Sequence, residues 1–408
     1  MKIIRIGVCV LITFAVLAFG AVETWSESVL QIGAALLFLW WGFLMATGRG
    51  EEIRWSPVIW PLLGLELLAL LQFVVPLSLY PYLTKLELLR MTSYFALLFV
   101  SGQAYRTPRQ WRDFAWFIVL LGFTVAVFAV LQDLTFKGKL YWFREMRYGG
   151  MPYGPYVNRN HFAGLMELLI PLGLAMLAVP GVRRQQMPLM AVLAAMPVGA
   201  LLLSASRGGI IGFGCEVILL VVLLWIRRGE KKRLFTFVIA LVLAGGLVAW
   251  LGVGQVIQRF SQIHNPEVTE GRRISMASGA YHIFRDHPWI GTGVGTMISV
   301  YPAYETDYDA TIVDHVHDDH FELLAETGLL GAVCWLTFIV LLAVYGLKNV
   351  SAHQDPIVRA VQLGTLVGCA GLLVHSFVDF NLHIPANASL FYLMAGMAST
   401  SPIFGPTN

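Results

Sequence analysis

Apolar residues recur along the whole chain in runs near the ~20 residues that a bilayer-crossing helix needs. Such runs predict spans at about 5–22, 29–46, 57–75, 87–104, 114–131, 162–179, 188–204, 208–226, 234–252, 322–346, 361–378 and 387–400. The pattern therefore predicts an all-α polytopic membrane protein with about twelve transmembrane helices, one integral domain over residues 1–408. The first run opens MKIIRIG, but no A-x-A-like site follows and a second run arrives at once, so it reads as a membrane helix and not a signal peptide.

Composition sharpens this picture. Of 408 residues, 57% are apolar and 13% charged, against roughly 45–50% and 25% in soluble domains. Too little polar surface remains for a water-facing exterior, so the exterior is lipid. A soluble enzyme, a nucleic-acid binder and a secreted disulfide scaffold are excluded. Cys9, Cys215, Cys334 and Cys369 each fall inside an apolar run, where a lone thiol acts as a small hydrophobe.

Charge position sets the orientation. With the N-terminus in the cytoplasm, sixteen of the 28 Lys and Arg fall on inner segments. Only Lys85, Arg90 and Arg207 flank short outer loops, and the other nine lie on two long outer segments, where the positive-inside rule has little force. Both termini are thus expected in the cytoplasm. The long segments, 132–161 and 253–321, depart from a plain bundle, and the second, between helices 9 and 10, carries Pro and Gly breaks at HNPEVTEG, DHPWIGTGVG and VYPAY. No internal repeat is visible.

The densest polar cluster, DHVHDDHFELLAETGLLG at 314–331, runs from the second long segment into the tenth span. His317 and His320 are one helical turn apart, and Asp318 and Asp319 suit a helix N-terminus. The run supports three readings: a divalent-metal site, a solvated helix cap, or one histidine acting as general base. The predicted outer face also favours arginine, with Arg144, Arg147, Arg159, Arg207, Arg259, Arg272, Arg273 and Arg285. Arginine is the residue that grips phosphate bidentately. Arg207 is the sharpest case, because SASRGG joins two apolar runs with almost no loop and holds a guanidinium at the hydrocarbon edge, where snorkelling to lipid headgroups is the competing role. Headgroup contact is the expected role of Arg144 and Arg147. Glu66, Glu167, Glu216 and Glu326 lie inside spans and are expected to pair with arginines or backbone groups, while Gly328 and Gly331 permit close packing.

These features resemble the O-antigen ligase and polymerase family of bacterial membrane glycosyltransferases. His317-Asp318, then nine residues, then Gly328-Leu-Leu-Gly331, is similar to the family's His-Asn…Gly-x-x-Gly signature, with Asp318 replacing the commoner Asn. SASRGG around Arg207 and RISMASGAYHIFRDHPWIGTGVG, headed by Arg273, resemble two further family segments. NRNHFAG, with Arg159, and HSFVDFNLHIPANA, from His375 to Ala388, are similar to exopolysaccharide members.

The resemblance implies an inner-membrane enzyme with its site facing the periplasm. It would move a glycan from undecaprenyl diphosphate to a saccharide or lipid-linked saccharide acceptor, without a metal, a nucleotide sugar or another cofactor. By resemblance His317 is the catalytic base, Arg207, Arg273, Arg159 and Arg272 bind diphosphate, and Asp318, His320 and Glu326 support them. Ligase chemistry is the preferred expectation and polymerase the alternative. A multi-span transporter and a metal-dependent polyprenyl-diphosphate hydrolase are the readings from other classes.

Overall fold

The computed structural model describes residues 1–145, 151–226, 270–306, 312–352 and 355–401, together with Val242, Gly245 and Gly246. Helices α1 (Lys2–Leu17), α2 (Thr24–Ala46), α3 (Ile59–Val74), α4 (Pro81–Ala104) and α5 (Pro108–Leu134) precede a two-residue hairpin, β1 (Lys139–Leu140) and β2 (Arg144–Glu145). In the hairpin Lys139 pairs with Glu145 and Leu140 with Arg144. After it come α6 (Arg159–Ala178), α7 (Met187–Ser204), α8 (Arg207–Ile226), α9 (Glu270–Asp286), α10 (Asp319–Ala352), α11 (Pro356–His375) and α12 (Pro385–Ser399).

Eleven of the twelve predicted spans coincide with a helix; the one at 234–252 lies outside the described residues except for three isolated positions. Seven helices among the described residues, α2, α5, α6, α7 with the turn before it, α8, α10 and α11, are long and apolar enough to cross a membrane. The other four fall short for identifiable reasons. Helices α1 and α3 have 16 residues each, and α4 carries Lys85, Glu87 and Arg90. Helix α12 has 15 residues and is almost wholly enclosed by protein, so its length need not match the bilayer.

An apolar helix without a polar face must be covered on all sides. Helix α6 is that element: every side chain from His161 to Ala178 is buried, and it packs on α5, α7, α8 and, most extensively, α11. The glycines of α11 let these backbones close; a Cβ on Gly364 would lie 2.5 Å from Leu172 Cα. Outer helices leave apolar side chains exposed instead, as Val333, Leu336, Val340 and Val344 do on α10. In a membrane that stripe meets lipid.

Two ends of the bundle are distinct. At one, Arg5 Nη1 donates to Ala104 O at 3.0 Å, Arg54 Nη1 to Tyr105 O at 3.2 Å and Asn349 to Ala398 O at 3.0 Å. At the other, Tyr141 donates to Leu17 O at 2.6 Å, and Arg144 of the hairpin pairs with Glu23 and lies over the Phe19 ring. Arg144, expected at lipid headgroups, thus has a protein carboxylate; Arg147 lies outside the described residues.

Helix α10 breaks at Gly328 (φ 62°, ψ −161°). Leu329 N donates to Pro288 O and Leu330 N to Trp289 O at the break, and a Cβ on Gly328 would lie 2.5 Å from Trp289 C. The Gly-x-x-Gly element is therefore where the 288–297 loop docks. Glu326 fastens the same loop, accepting from the backbone N–H of Gly295 and Met297, each at 2.8 Å. That dihedral region is open essentially to glycine alone, with about 1–3 kcal/mol of strain for other residues. Gly328→Ala is accordingly expected to destabilise by at least that amount, seen as a lowered Tm in detergent; an unchanged Tm would rule out the docking role.

Candidate active site

Four chain segments converge at the end away from Arg5. Ala205 caps α7 in the left-handed conformation (φ 52°), so the chain reverses at once and α8 starts at Arg207. This is the physical content of SASRGG. Gly208 then lies so close to His375, at the C-terminus of α11, that a Cβ there would be 2.5 Å from the imidazole. Asn158 caps α6 by accepting from Asn160 N at 2.8 Å. That places Arg159 and His161 in the helix's first turn, at this same end.

Asp379, completely buried in the turn between α11 and α12, is the hub. Its Oδ1 lies 3.1 Å from His317 Nδ1 and 3.8 Å from His161 Nε2, and its Oδ2 lies 3.9 Å from His375 Nε2. His375 is fixed from behind by Glu167 at 2.9 Å. Burial alone would raise the Asp379 pKa, but the imidazoles of His161, His317 and His375 hold its carboxyl well below the usual range. Asp379 thus stays ionised near neutral pH. Its stabilising share is present above about pH 4 and is lost on acidification.

The ionised acceptor at Nδ1 selects, for the neutral His317 ring, the tautomer with its proton on Nδ1 and its lone pair on Nε2. Its side chain remains 16% exposed. Its backbone is left-handed (φ 54°), a strain that non-glycine residues sustain mainly at functional positions. The rings of His161, His315 and His317 surround Phe380, with centroids 4.7–4.8 Å away.

A second carboxylate–imidazole group adjoins the first. Glu322 accepts from His315 Nδ1 at 2.6 Å and from Val316 N at 3.0 Å, and lies 3.4 Å from His383 Nε2. His383 Nδ1 meets Asp319 at 2.8 Å, and Asp319 also accepts from Ser376 Oγ at 2.6 Å and Leu382 N at 3.1 Å. Burial disfavours the charged form of His383, but Glu322 and Asp319 outweigh it and push the pKa up to about 10.

The residues expected from sequence divide. Arg159 is two positions before His161, Arg207 directly precedes Gly208, and Arg273 is within electrostatic reach of His375. Arg272, its neighbour, is half-buried in the first turn of α9. Asp318 caps α10, accepting from His320 N and Phe321 N, each at 3.0 Å; burial, partly offset by those bonds, raises its pKa to about 6. His320 is occupied at both nitrogens: Trp335 Nε1 donates to Nδ1 at 3.0 Å, leaving Nε2 to donate to Leu373 O at 3.0 Å. Glu326 serves the loop below. Arg259 lies outside the described residues.

Residues 189–336, which include Arg207, Arg272, Arg273 and His317, match the family model described as O-Antigen ligase. An O-antigen ligase of Pseudomonas aeruginosa (strain PAO1) is 22% identical over 290 residues, 70% of this chain and 63% of that relative's length. Both matches support the O-antigen ligase/polymerase family. The hub sits outside the stretch matched to the O-Antigen ligase model, since Asp379, His375 and His383 follow residue 336 and His161 and Glu167 precede residue 189. The sequence signal of the histidines and Asp379 is the polar density of HSFVDFNLH and NRNH at span ends, and that of Glu167 is a carboxylate inside an apolar run.

Proposed function

We propose that this protein is a membrane glycosyltransferase of the ligase type, which moves a glycan from undecaprenyl diphosphate to a saccharide hydroxyl. The His317–Asp379 couple carries this reading, because it is a base with a fixed tautomer and an open lone pair. The acceptor oxygen attacks the anomeric carbon and gives its proton to His317 Nε2. The bond from that carbon to the diphosphate oxygen breaks, and the leaving diphosphate keeps the electron pair. Arg159, Arg207, Arg272 and Arg273 offset its charge. A lipid-linked donor accounts for a site at the bundle end; carriers place their polar sites near mid-membrane on broken helices. The deciding assay incubates the reconstituted protein with radiolabelled lipid-linked glycan and acceptor. Glycan transferred to acceptor supports the reading, whereas glycan crossing the bilayer unchanged identifies a transporter.

The termini belong in the cytoplasm and the hub faces the periplasm, since Arg5, Arg54 and Arg106 crowd the end opposite Asp379. The segments 132–161 and 253–321 then lie outside. Cysteines placed at the exposed Lys137 and Ile274 are expected to react with an impermeant maleimide added to cells with a permeabilised outer membrane. Protection of either would refute this topology.

No step of the transfer runs through a metal ion, because arginines supply the positive charge. Dialysed, chelator-treated protein is expected to keep its transfer activity. Loss that Mg²⁺, Mn²⁺ or Zn²⁺ restores would replace the arginine mechanism with metal-assisted chemistry.

A further inference from the structure

The Asp314–His320 run does not act as one set of ligands: His317 turns to Asp379, His320 to Trp335 and Leu373, and Asp318 to the helix cap. Among the described residues, His315 alone of this run joins a group with metal-ligand geometry, and its partners come from elsewhere. The ligand atoms of His315, Glu322 and His383 all lie within 4.8 Å of one another. We propose that these three residues bind a zinc ion, in a site separate from the His317 base and independent of the transfer reading.

Four observations converge on this site. Two imidazoles and a carboxylate form a donor set that suits zinc with a fourth position open. Glu322 is 1% exposed, so this is not a surface acidic patch. The supporting contacts that metal ligands need are already made: Asp319 holds His383 Nδ1, leaving Nε2 directed at Glu322, and Ser376 Oγ and Leu382 N hold Asp319 in turn. Val316 N likewise takes the second oxygen of Glu322 and leaves the first to the site.

Charge balance points the same way. Glu322 and Asp319 bring two carboxylates into one buried group, and a divalent ion held by that group would offset their charge, which a low-dielectric site favours. The ion would tie the His315–Val316 loop, the start of α10 and the 381–383 turn together beside His317. Without it, a protonated His383 bridges the carboxylates and keeps the same elements in place, so zinc adds stability and leaves the chemistry at His317 unchanged.

The full-length protein in detergent, stripped with chelator, reloaded with Zn²⁺ and desalted, is expected to retain about one zinc per chain by mass spectrometric metal analysis. Glu322→Gln and His383→Gln should retain at least ~10-fold less, and Asp319→Asn should bind roughly 10–100-fold more weakly. His282→Gln, at an exposed histidine on α9, should match wild type. Should the cluster variants fold poorly, the wild type still decides: its Tm should rise on adding Zn²⁺ to the stripped protein and stay put with Mg²⁺. Absence of retained zinc and of a Tm shift, or equal zinc in every variant, would overturn the site and leave His383 as an imidazolium bridge. Since neither readout involves glycan transfer, failure here and failure of the proposed reaction are told apart.

Discussion

Alanine in place of His317 is expected to abolish glycan transfer, a loss on the order of 10²–10⁴-fold in the chemical step, while yield and donor binding stay near wild type. A base acts on the acceptor proton and not on the diphosphate, so the loss falls on kcat and spares donor affinity. Asp379→Asn should approach the same loss without removing the imidazole. A carboxamide no longer selects the tautomer with Nε2 free and no longer stabilises the imidazolium that forms as the acceptor proton leaves. The two substitutions together should cost little more than either alone, because they disable one unit. Single-turnover rates of transfer from labelled lipid-linked glycan supply the measurement. His320→Ala serves as the contrast: it strips partners from Trp335 Nε1 and Leu373 O, roughly 1–3 kcal/mol each, and should lower stability more than rate. A dead His320 variant beside an active His317 variant would reverse the assignment of the base.

How far these residues could be read from sequence depends on whether their signal is local. The span positions were legible because twenty consecutive apolar residues announce themselves without knowledge of neighbours. Helix α6 is apolar along its length and proves to be enclosed throughout. The break at Gly328 was not legible as a break. It falls inside the apolar run assigned to 322–346, and its cause is the docking of a loop some forty residues earlier in the chain. Buried carboxylates were expected to meet arginines or backbone groups. Glu326 does meet backbone, but Glu167 meets His375, more than two hundred residues away, and Glu66 accepts from the Thr92 hydroxyl at 3.1 Å. Which partner a buried charge takes follows from helix packing, and packing follows from small residues such as Gly208 and Gly212, whose role no single motif displays. Asp379 is the clearest instance. Nothing in HSFVDF ties that carboxylate to a histidine sixty-two positions earlier until α11 places the turn beside it.

Arg207→Lys should be nearly as damaging as Arg207→Ala, and this contrast separates a phosphate-gripping residue from one that snorkels. The position favours the first role. Arg207 is exposed at the start of α8, on the residue before the glycine that touches His375, so it stands beside the hub. An ammonium keeps the positive charge but loses the planar pair of N–H donors, and with it one charge-assisted hydrogen bond worth about 1.5–3 kcal/mol. That amounts to roughly 10–100-fold in the rate at low donor concentration, and alanine adds the lost charge on top. Because the diphosphate carries more negative charge as it leaves than when bound as substrate, the loss should appear in kcat as well as in donor affinity. Arg273, within electrostatic reach of His375, should behave alike. A snorkelling arginine answers only to the headgroup region, where lysine serves equally well. Full activity in both lysine variants would therefore move these two residues from the diphosphate to the lipid surface, and the charge on the leaving group would have to be met by Arg159 and Arg272 alone.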